Sequence, residues 1–167
     1  MRQRLKKSFN FHLFRMPERP HFAFRQDNLT LADRLVTEVS VFTPDKKASV
    51  KARALWDTGA MGSVITPHIA QSLRLAPFDF VLVSGVNKTD YADLVHISVD
   101  LPNGVMCDDI DAMICTLNPD IDMLIGMDII LAGDLAISNA GGKTLFTFAI
   151  PPFEDKTDLY EKAARLQ

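Results

Sequence analysis

Residues 54–60 read Ala-Leu-Trp-Asp-Thr-Gly-Ala, and the reading of the whole chain turns on them. Just upstream, Val50, Ala52, Ala54 and Trp56 alternate with Lys51, Arg53 and Leu55, the period-2 pattern of a strand with one buried face. That strand runs straight into Asp57, so an apolar element delivers a carboxylate into a tight turn. Gly59 lets backbone approach a ligand closely at that point. At average residue usage a given tripeptide arises by chance in roughly one chain in thirty of this length. Taken alone, Asp57-Thr58-Gly59 therefore also fits a strand-ending Asx turn with no chemistry.

The same alternation continues on both sides. Leu35, Thr37, Val39 and Val41 oppose Val36, Glu38, Ser40 and Phe42 in a strand closed by the turn Pro44-Asp45-Lys46-Lys47. A short strand at 63–65 meets Thr66-Pro67, an N-cap followed by a first-turn proline, which predicts a helix over 67–73. Strands follow at 80–84, 91–100 and 105–116, separated by Gly85-Val86-Asn87-Lys88 and Pro102-Asn103-Gly104. In the third of these, Asp109 and Asp111 fall on one face with Val105, Cys107, Met113 and Cys115. An apolar run at 123–132 contains Gly126. Segments 135–138 and 145–150 flank Asn139-Ala140-Gly141-Gly142 as a last hairpin. Over 155–166, Leu159, Ala163 and Leu166 recur at helical spacing. Many short strands with one or two small helices and a C-terminal helix make a mostly-β barrel or sandwich.

A second motif lies sixty-nine residues beyond Asp57: Leu124-Ile125-Gly126, between Asp122-Met123 and Met127-Asp128. With both motifs in this order, the chain resembles the retropepsin-like aspartic proteases, single-domain relatives of pepsin, over about residues 36–150. The form of 122–128 is closer to cellular and bacterial members than to viral ones. The resemblance implies a closed retropepsin-like β-barrel and a catalytic carboxylate at Asp57. It implies that Thr58 hydrogen-bonds across a dimer beneath the active site, with Thr58, Gly59 and Ala60 supporting the active-site loop. Gly59, Ile125 and the flap residues Gly85 and Val86 would contact substrate, the flap being the hairpin around 85–90. Leu124, Ile125 and Gly126 would pack behind the Asp57 loop. Viral members pair an Asp after Asp-Thr-Gly-Ala with an Arg after the second glycine; here those places hold Met61 and Met127. An apolar contact between these two methionines is the expectation, since both partners of the ion pair are absent together.

Peptide hydrolysis by carboxylates needs two of them sharing one proton. This chain has one Asp-Thr-Gly, so activity requires a symmetric homodimer with one Asp57 from each subunit at the two-fold axis. The expected function is thus an aspartic endopeptidase that hydrolyses peptide or protein substrates with an activated water and no cofactor. A catalytically weak dimerisation or peptide-binding module on the same fold is the alternative; the intact Asp57-Thr58-Gly59-Ala60 argues against it, because a binding module needs no bare carboxylate there.

Composition agrees. The 167 residues are 47% hydrophobic and 23% charged, enough to bury one core. Residues 1–28 hold seven basic side chains and two acidic ones, a net of +5; with −3 overall, the remainder carries −8. No excess positive charge exists for nucleic acid. The chain divides by expectation into a basic extension at 1–28, poorly ordered or an added edge strand, a protease domain at 29–150, and a helical tail at 151–167. His12, His21, His68 and His96 have no metal-ligand spacing, and Asp108, Asp109, Asp111, Asp120, Asp122 and Asp128 lack the glycine of a calcium loop, so no metal is expected. Cys107 and Cys115 read as small core residues of a reducing compartment. No apolar run approaches the ~20 residues of a membrane span, and the basic N-terminus leads into no apolar signal core; a cytoplasmic location without membrane insertion is expected.

Overall fold

The computed structural model describes residues 20–84 and 89–166. Ten strands and three short α-helices follow one another in the order β1 (Phe22–Asp27), β2 (Val36–Phe42), β3 (Ser49–Trp56), β4 (Val64–Ile65), α1 (Pro67–Ser72), β5 (Asp79–Ser84), β6 (Thr89–Asp100), β7 (Met106–Ile114), β8 (Met123–Ile125), α2 (Met127–Ile130), β9 (Asp134–Ser138), β10 (Leu145–Ile150) and α3 (Leu159–Ala164).

Strands β2-β3-β8-β4-β7-β6 lie side by side, and pairing of β2 with β6 closes them into a six-stranded barrel; β5 hangs from the outer edge of β6. The mostly-β barrel expected from alternation is therefore the observed fold. Its core is the buried face read from the sequence: Thr37, Val39 and Val41 of β2 with Ala52, Ala54 and Trp56 of β3. Thr66 caps α1 by accepting from the Ile69 N–H, as the Thr-Pro pair implies.

The basic extension divides. Residues 1–19 lie outside the described residues, but Phe22–Asp27 is an ordered edge strand antiparallel to β10, which pairs on its other side with β9. In this strand Phe24 packs against Trp56, Phe146 and Phe148 at ring-centroid distances of 5.6, 5.3 and 6.4 Å. Phe146 and Phe148 are fully buried, each contributing about 1.5–3 kcal/mol by burial. This aromatic cluster fastens the three-stranded sheet to the barrel at the residue immediately before Asp57.

Alternation fails in one strand. Between Ile97 and Val99 the β6–β7 register shifts, and Asp109 has a φ of 57°. The bulge breaks the single face expected for Cys107, Asp109 and Asp111. Cys107, Ile110 and Ala112 turn to the core, while Asp109 and Asp111 are exposed. At the C-terminus, α3 is shorter than the 155–166 periodicity implies. Asp158 caps it by accepting from the Tyr160 and Glu161 N–H groups, and none of its residues is buried. Among the described residues, no helix is long and apolar enough to cross a membrane.

Candidate active site

Strand β3 ends at Trp56, whose indole N–H donates to the Thr37 hydroxyl at 2.9 Å inside the core. The chain then turns sharply. The Asp57 N–H donates to the Ile125 carbonyl at 2.9 Å, and the Ala60 N–H to the Asp57 carbonyl at 3.2 Å. Within the turn the Gly59 N–H donates to Asp57 Oδ1 at 2.9 Å, which holds the carboxylate in one orientation. Asp57 and Ala60 are half-buried, while Thr58 and Gly59 are exposed. The Thr58 hydroxyl takes no partner among the described residues.

Behind this turn lies β8. It pairs in parallel with β3, Ala54 opposite Met123 and Trp56 opposite Ile125, and antiparallel with β4, Val64 opposite Leu124. Two segments sixty-nine residues apart thus become neighbours. The Met127 N–H, at the start of α2, donates to the Ala60 carbonyl at 2.8 Å. Along β8, Met123 and Ile125 are buried and Leu124 is half-exposed. The Ile125 side chain is 0% exposed and belongs to the core. Period-2 alternation puts Leu124, its neighbour, on the outer face.

The expected contact of Met61 with Met127 needs correction. Met61 is 90% exposed, so it seats against nothing, whereas Met127 packs on the core. A polar tie stands instead between Ser63, two residues beyond Met61, and Asp128, one residue beyond Met127. Asp128 accepts from the Ser63 N–H and the Ser63 hydroxyl, both at 2.8 Å, and the Ser63 hydroxyl oxygen accepts from the Gly126 N–H at 3.3 Å. Sequence reading passed over this pair. The available signal was a serine inside an apolar strand and an acid in the first turn after Gly126.

Strands β5 and β6 pair antiparallel, as a hairpin at the place where the flap is expected. Its connection, with Gly85 and Val86, lies outside the described residues. Phe80 and Tyr91 meet edge to face across the two strands at 5.5 Å. The described histidines stand apart from Asp57. His96 Nδ1 lies 2.7 Å from Asp111 Oδ1, and its ring stacks on Phe78 at 3.8 Å. His21 Nδ1 lies 3.0 Å from the Pro151 carbonyl oxygen. Of the other aspartates, Asp122 accepts from the Arg53 N–H, Asp120 pairs with Arg34 and Asp108 with Lys46. Among the described residues no group of three or more His, Cys, Asp or Glu side chains could hold a metal ion.

Burial, with lesser contributions from Asp108, Asp128 and Asp100, pushes the Cys107 thiol up to about 11, so it is no nucleophile near neutral pH. Of the surface cavities, one of 220 Å³ lies beside Ala70 and Arg74 and one of 330 Å³ beside Lys143 and Thr144; neither borders Asp57.

Residues 45–129, just over half of the chain, match the family model described as aspartyl protease. No curated protein sequence matches. Among solved structures, the chain is similar to a retropepsin-like aspartic protease from Rickettsia conorii, at 18% identity over 81% of this chain and 99% of that one, with a TM-score of 0.49. It is also similar to the EIAV protease complexed with the inhibitor HBY-793, at 19% identity over 60% and 88% with a TM-score of 0.45. The retroviral protease-like domain of Ddi1 from Leishmania major matches at 16% identity over 66% and 93%, with a TM-score of 0.40.

Proposed function

The chain belongs to the aspartyl protease family, and on that premise we propose that it is an aspartic endopeptidase active as a homodimer, with one Asp57 from each subunit at the two-fold axis. The observation that carries this reading is the half-buried Asp57 carboxylate, oriented by the Gly59 N–H at the tip of an exposed turn. Each chain brings one such turn, and two carboxylates are needed. A second copy of the exposed Thr58-Gly59 surface supplies the other and turns an open face into a cleft.

The chemistry then follows from paired carboxylates sharing a proton. The ionised Asp57 takes a proton from a water molecule as its oxygen attacks the scissile carbonyl carbon. The protonated Asp57 of the other subunit gives its proton to the carbonyl oxygen, forming a neutral gem-diol. Collapse of that intermediate breaks the C–N bond, the nitrogen takes a proton from the dyad, and a carboxylic acid and an amine leave. Thr58 hydrogen-bonds across the dimer and fixes both turns. The Gly59 N–H is committed to Asp57, so its carbonyl is the group offered to substrate. Ala60 completes the supporting turn, Gly85 and Val86 cover the substrate from the flap, Leu124 lines the cleft, and Ile125 and Gly126 hold the turn from behind. The catalytic unit comprises residues 29–150 with the strand added from 22–27, and 151–167 form a helical tail. No metal or other cofactor enters these steps.

Titration of the purified protein with a statine-type transition-state analogue tests the reading. Tight binding at one inhibitor per dimer, with hydrolysis of a fluorogenic peptide library, is the expected result. Binding of peptides without cleavage leaves only a peptide-binding module, and no binding of either probe removes the protease reading.

A further inference from the structure

Main-chain groups make most of the bonds between the 57–62 turn and the segment from β8 into α2. The Asp57 N–H reaches the Ile125 carbonyl and the Met127 N–H reaches the Ala60 carbonyl; many sequences could form both bonds. Only at the far end of the turn, among the described residues, does the link depend on side chains. There Asp128 Oδ2 accepts from the Ser63 N–H, and Oδ1 from the Ser63 hydroxyl and from the Ile129 N–H at 3.0 Å. Ser63 is fully buried, and its hydroxyl oxygen also takes the Gly126 N–H. The turn is therefore held at the Asp57 end by a carbonyl and at the Ser63 end by a carboxylate.

We propose that Asp128 is a positioning residue for Asp57, clamping the Ser63 end of the turn onto α2 so that the Asp57 carboxylate keeps the placement required to share a proton with its partner. This rests on the reading of Asp57 as the catalytic carboxylate. Charge-assisted hydrogen bonds are shorter and stronger than neutral ones, which suits Asp128 better than a neutral side chain to a clamp. A plainly structural role exists beside this one: α2 has four residues, its N-cap Gly126 offers no side chain, and an acid in the first turn stabilises a helix start. The two roles differ in what they do to turnover. Slackening the turn displaces Asp57, and a displacement of about 1 Å is enough to cost about 100-fold in rate. Weakening a helix start lowers thermal stability and leaves kcat alone.

The test uses the full chain, with active dimers counted by the statine-type analogue, well below the melting temperature of every variant. Asp128→Ala is expected to lower kcat per titrated site by about 10- to 100-fold, with KM within about threefold of wild type. Asp128→Asn, whose side-chain oxygen still accepts from the Ser63 N–H but which lacks the charge and the second acceptor, recovers part of that loss. Ser63→Ala falls between them, and the double variant Ser63→Ala/Asp128→Ala is no worse than Asp128→Ala, because both act on one link. Should Asp128→Ala fail to fold, Asp128→Asn and Ser63→Ala carry the comparison alone. Wild-type kcat per titrated site in these variants, with only the melting temperature reduced, overturns the proposal; so does an Asn variant as impaired as the Ala one. An Asp57→Asn protein that still cleaves peptides would instead defeat the protease reading itself, whatever the Asp128 variants do.

Discussion

Gly126 lies so close to Gly62 that a Cβ added to it would stand 2.6 Å from both the carbonyl carbon and the carbonyl oxygen of Gly62, and 3.0 Å from the Ala60 oxygen. All three atoms are backbone of the segment that carries Asp57, so none can swing aside. The second glycine of the sequence motif is thus required by contact with the first motif's loop.

Gly126→Ala is accordingly expected to be severe. Overpacking of this kind costs about 1–3 kcal/mol where side chains can adjust, and here the obstacle is main chain, so about 3 kcal/mol or more is expected. Urea unfolding followed by the fluorescence of Trp56, the sole tryptophan, measures it. A loss below about 1 kcal/mol would show that the two segments separate easily.

Asp57→Asn keeps the acceptor for the Gly59 N–H while removing the group able to take and give a proton. Hydrolysis of the fluorogenic peptides should vanish. The proposed dimer should form with wild-type affinity or slightly better, because two carboxylates would no longer face one another in it. Sedimentation over a dilution series reads the second effect independently of the first.

Thr58→Ala should separate the same two properties the other way. Its hydroxyl is exposed and takes no partner within the described chain, so its loss leaves the isolated fold unchanged. Association should weaken, and activity per chain should fall more steeply on dilution than in wild type. A Thr58→Ala protein with unaltered dilution behaviour would remove Thr58 from the interface.

Thr37→Val leaves the buried Trp56 indole N–H without its acceptor while keeping side-chain volume. An unsatisfied buried donor costs about 1–3 kcal/mol. The same fluorescence-detected unfolding reports it. The effect should reach the active site as well, because Trp56 precedes Asp57 in the chain.

Cys107 gives the chain a dependence on alkaline pH. Burial, the largest cause, and nearby aspartates raise its folded pKa from 9.0 to about 11, so the fold favours the neutral thiol. Its contribution to stability is complete below about pH 9 and is lost as pH rises towards about 11. Wild type should lose stability over that window more steeply than Cys107→Ala, as read from urea midpoints at successive pH values. Parallel pH profiles for the two proteins would place the thiol in contact with solvent.

Much of the site was legible before any coordinates. Asp57-Thr58-Gly59 and Leu124-Ile125-Gly126 are short motifs whose residue types are dictated by local needs: a carboxylate at a strand end, a glycine where backbones touch. Other details were not. Ile125 and Leu124 are equivalent in hydrophobicity, and only the phase of β8 against β3 decides which of them is buried. Ser63 and Asp128 each stand out locally, a serine at an apolar strand and an acid after Gly126, but nothing local says that they are partners, because a hydrogen bond across sixty-five residues leaves no periodic trace. The bulge at Asp109 likewise arises from the β6–β7 register and reversed a face assigned by strict alternation.

The amino-acid sequence by itself determined most of the strands, the buried faces of β2 and β3 and the start of α1, since side-chain alternation and capping act over a few residues and need no distant partner. It also determined that one chain carries one Asp-Thr-Gly. Tertiary structure alone decided which strands became neighbours: β3 beside β8 in parallel, β2 closing on β6, and β1 joining β10 from within a segment whose charge pointed elsewhere. Backbone hydrogen bonds are the same for every residue type, so pairing between remote strands is chosen by the packing of their side chains. For β1 that choice was made by Phe24, which packs against Trp56 of β3 and against Phe146 and Phe148 of β10, residues far from it in the sequence.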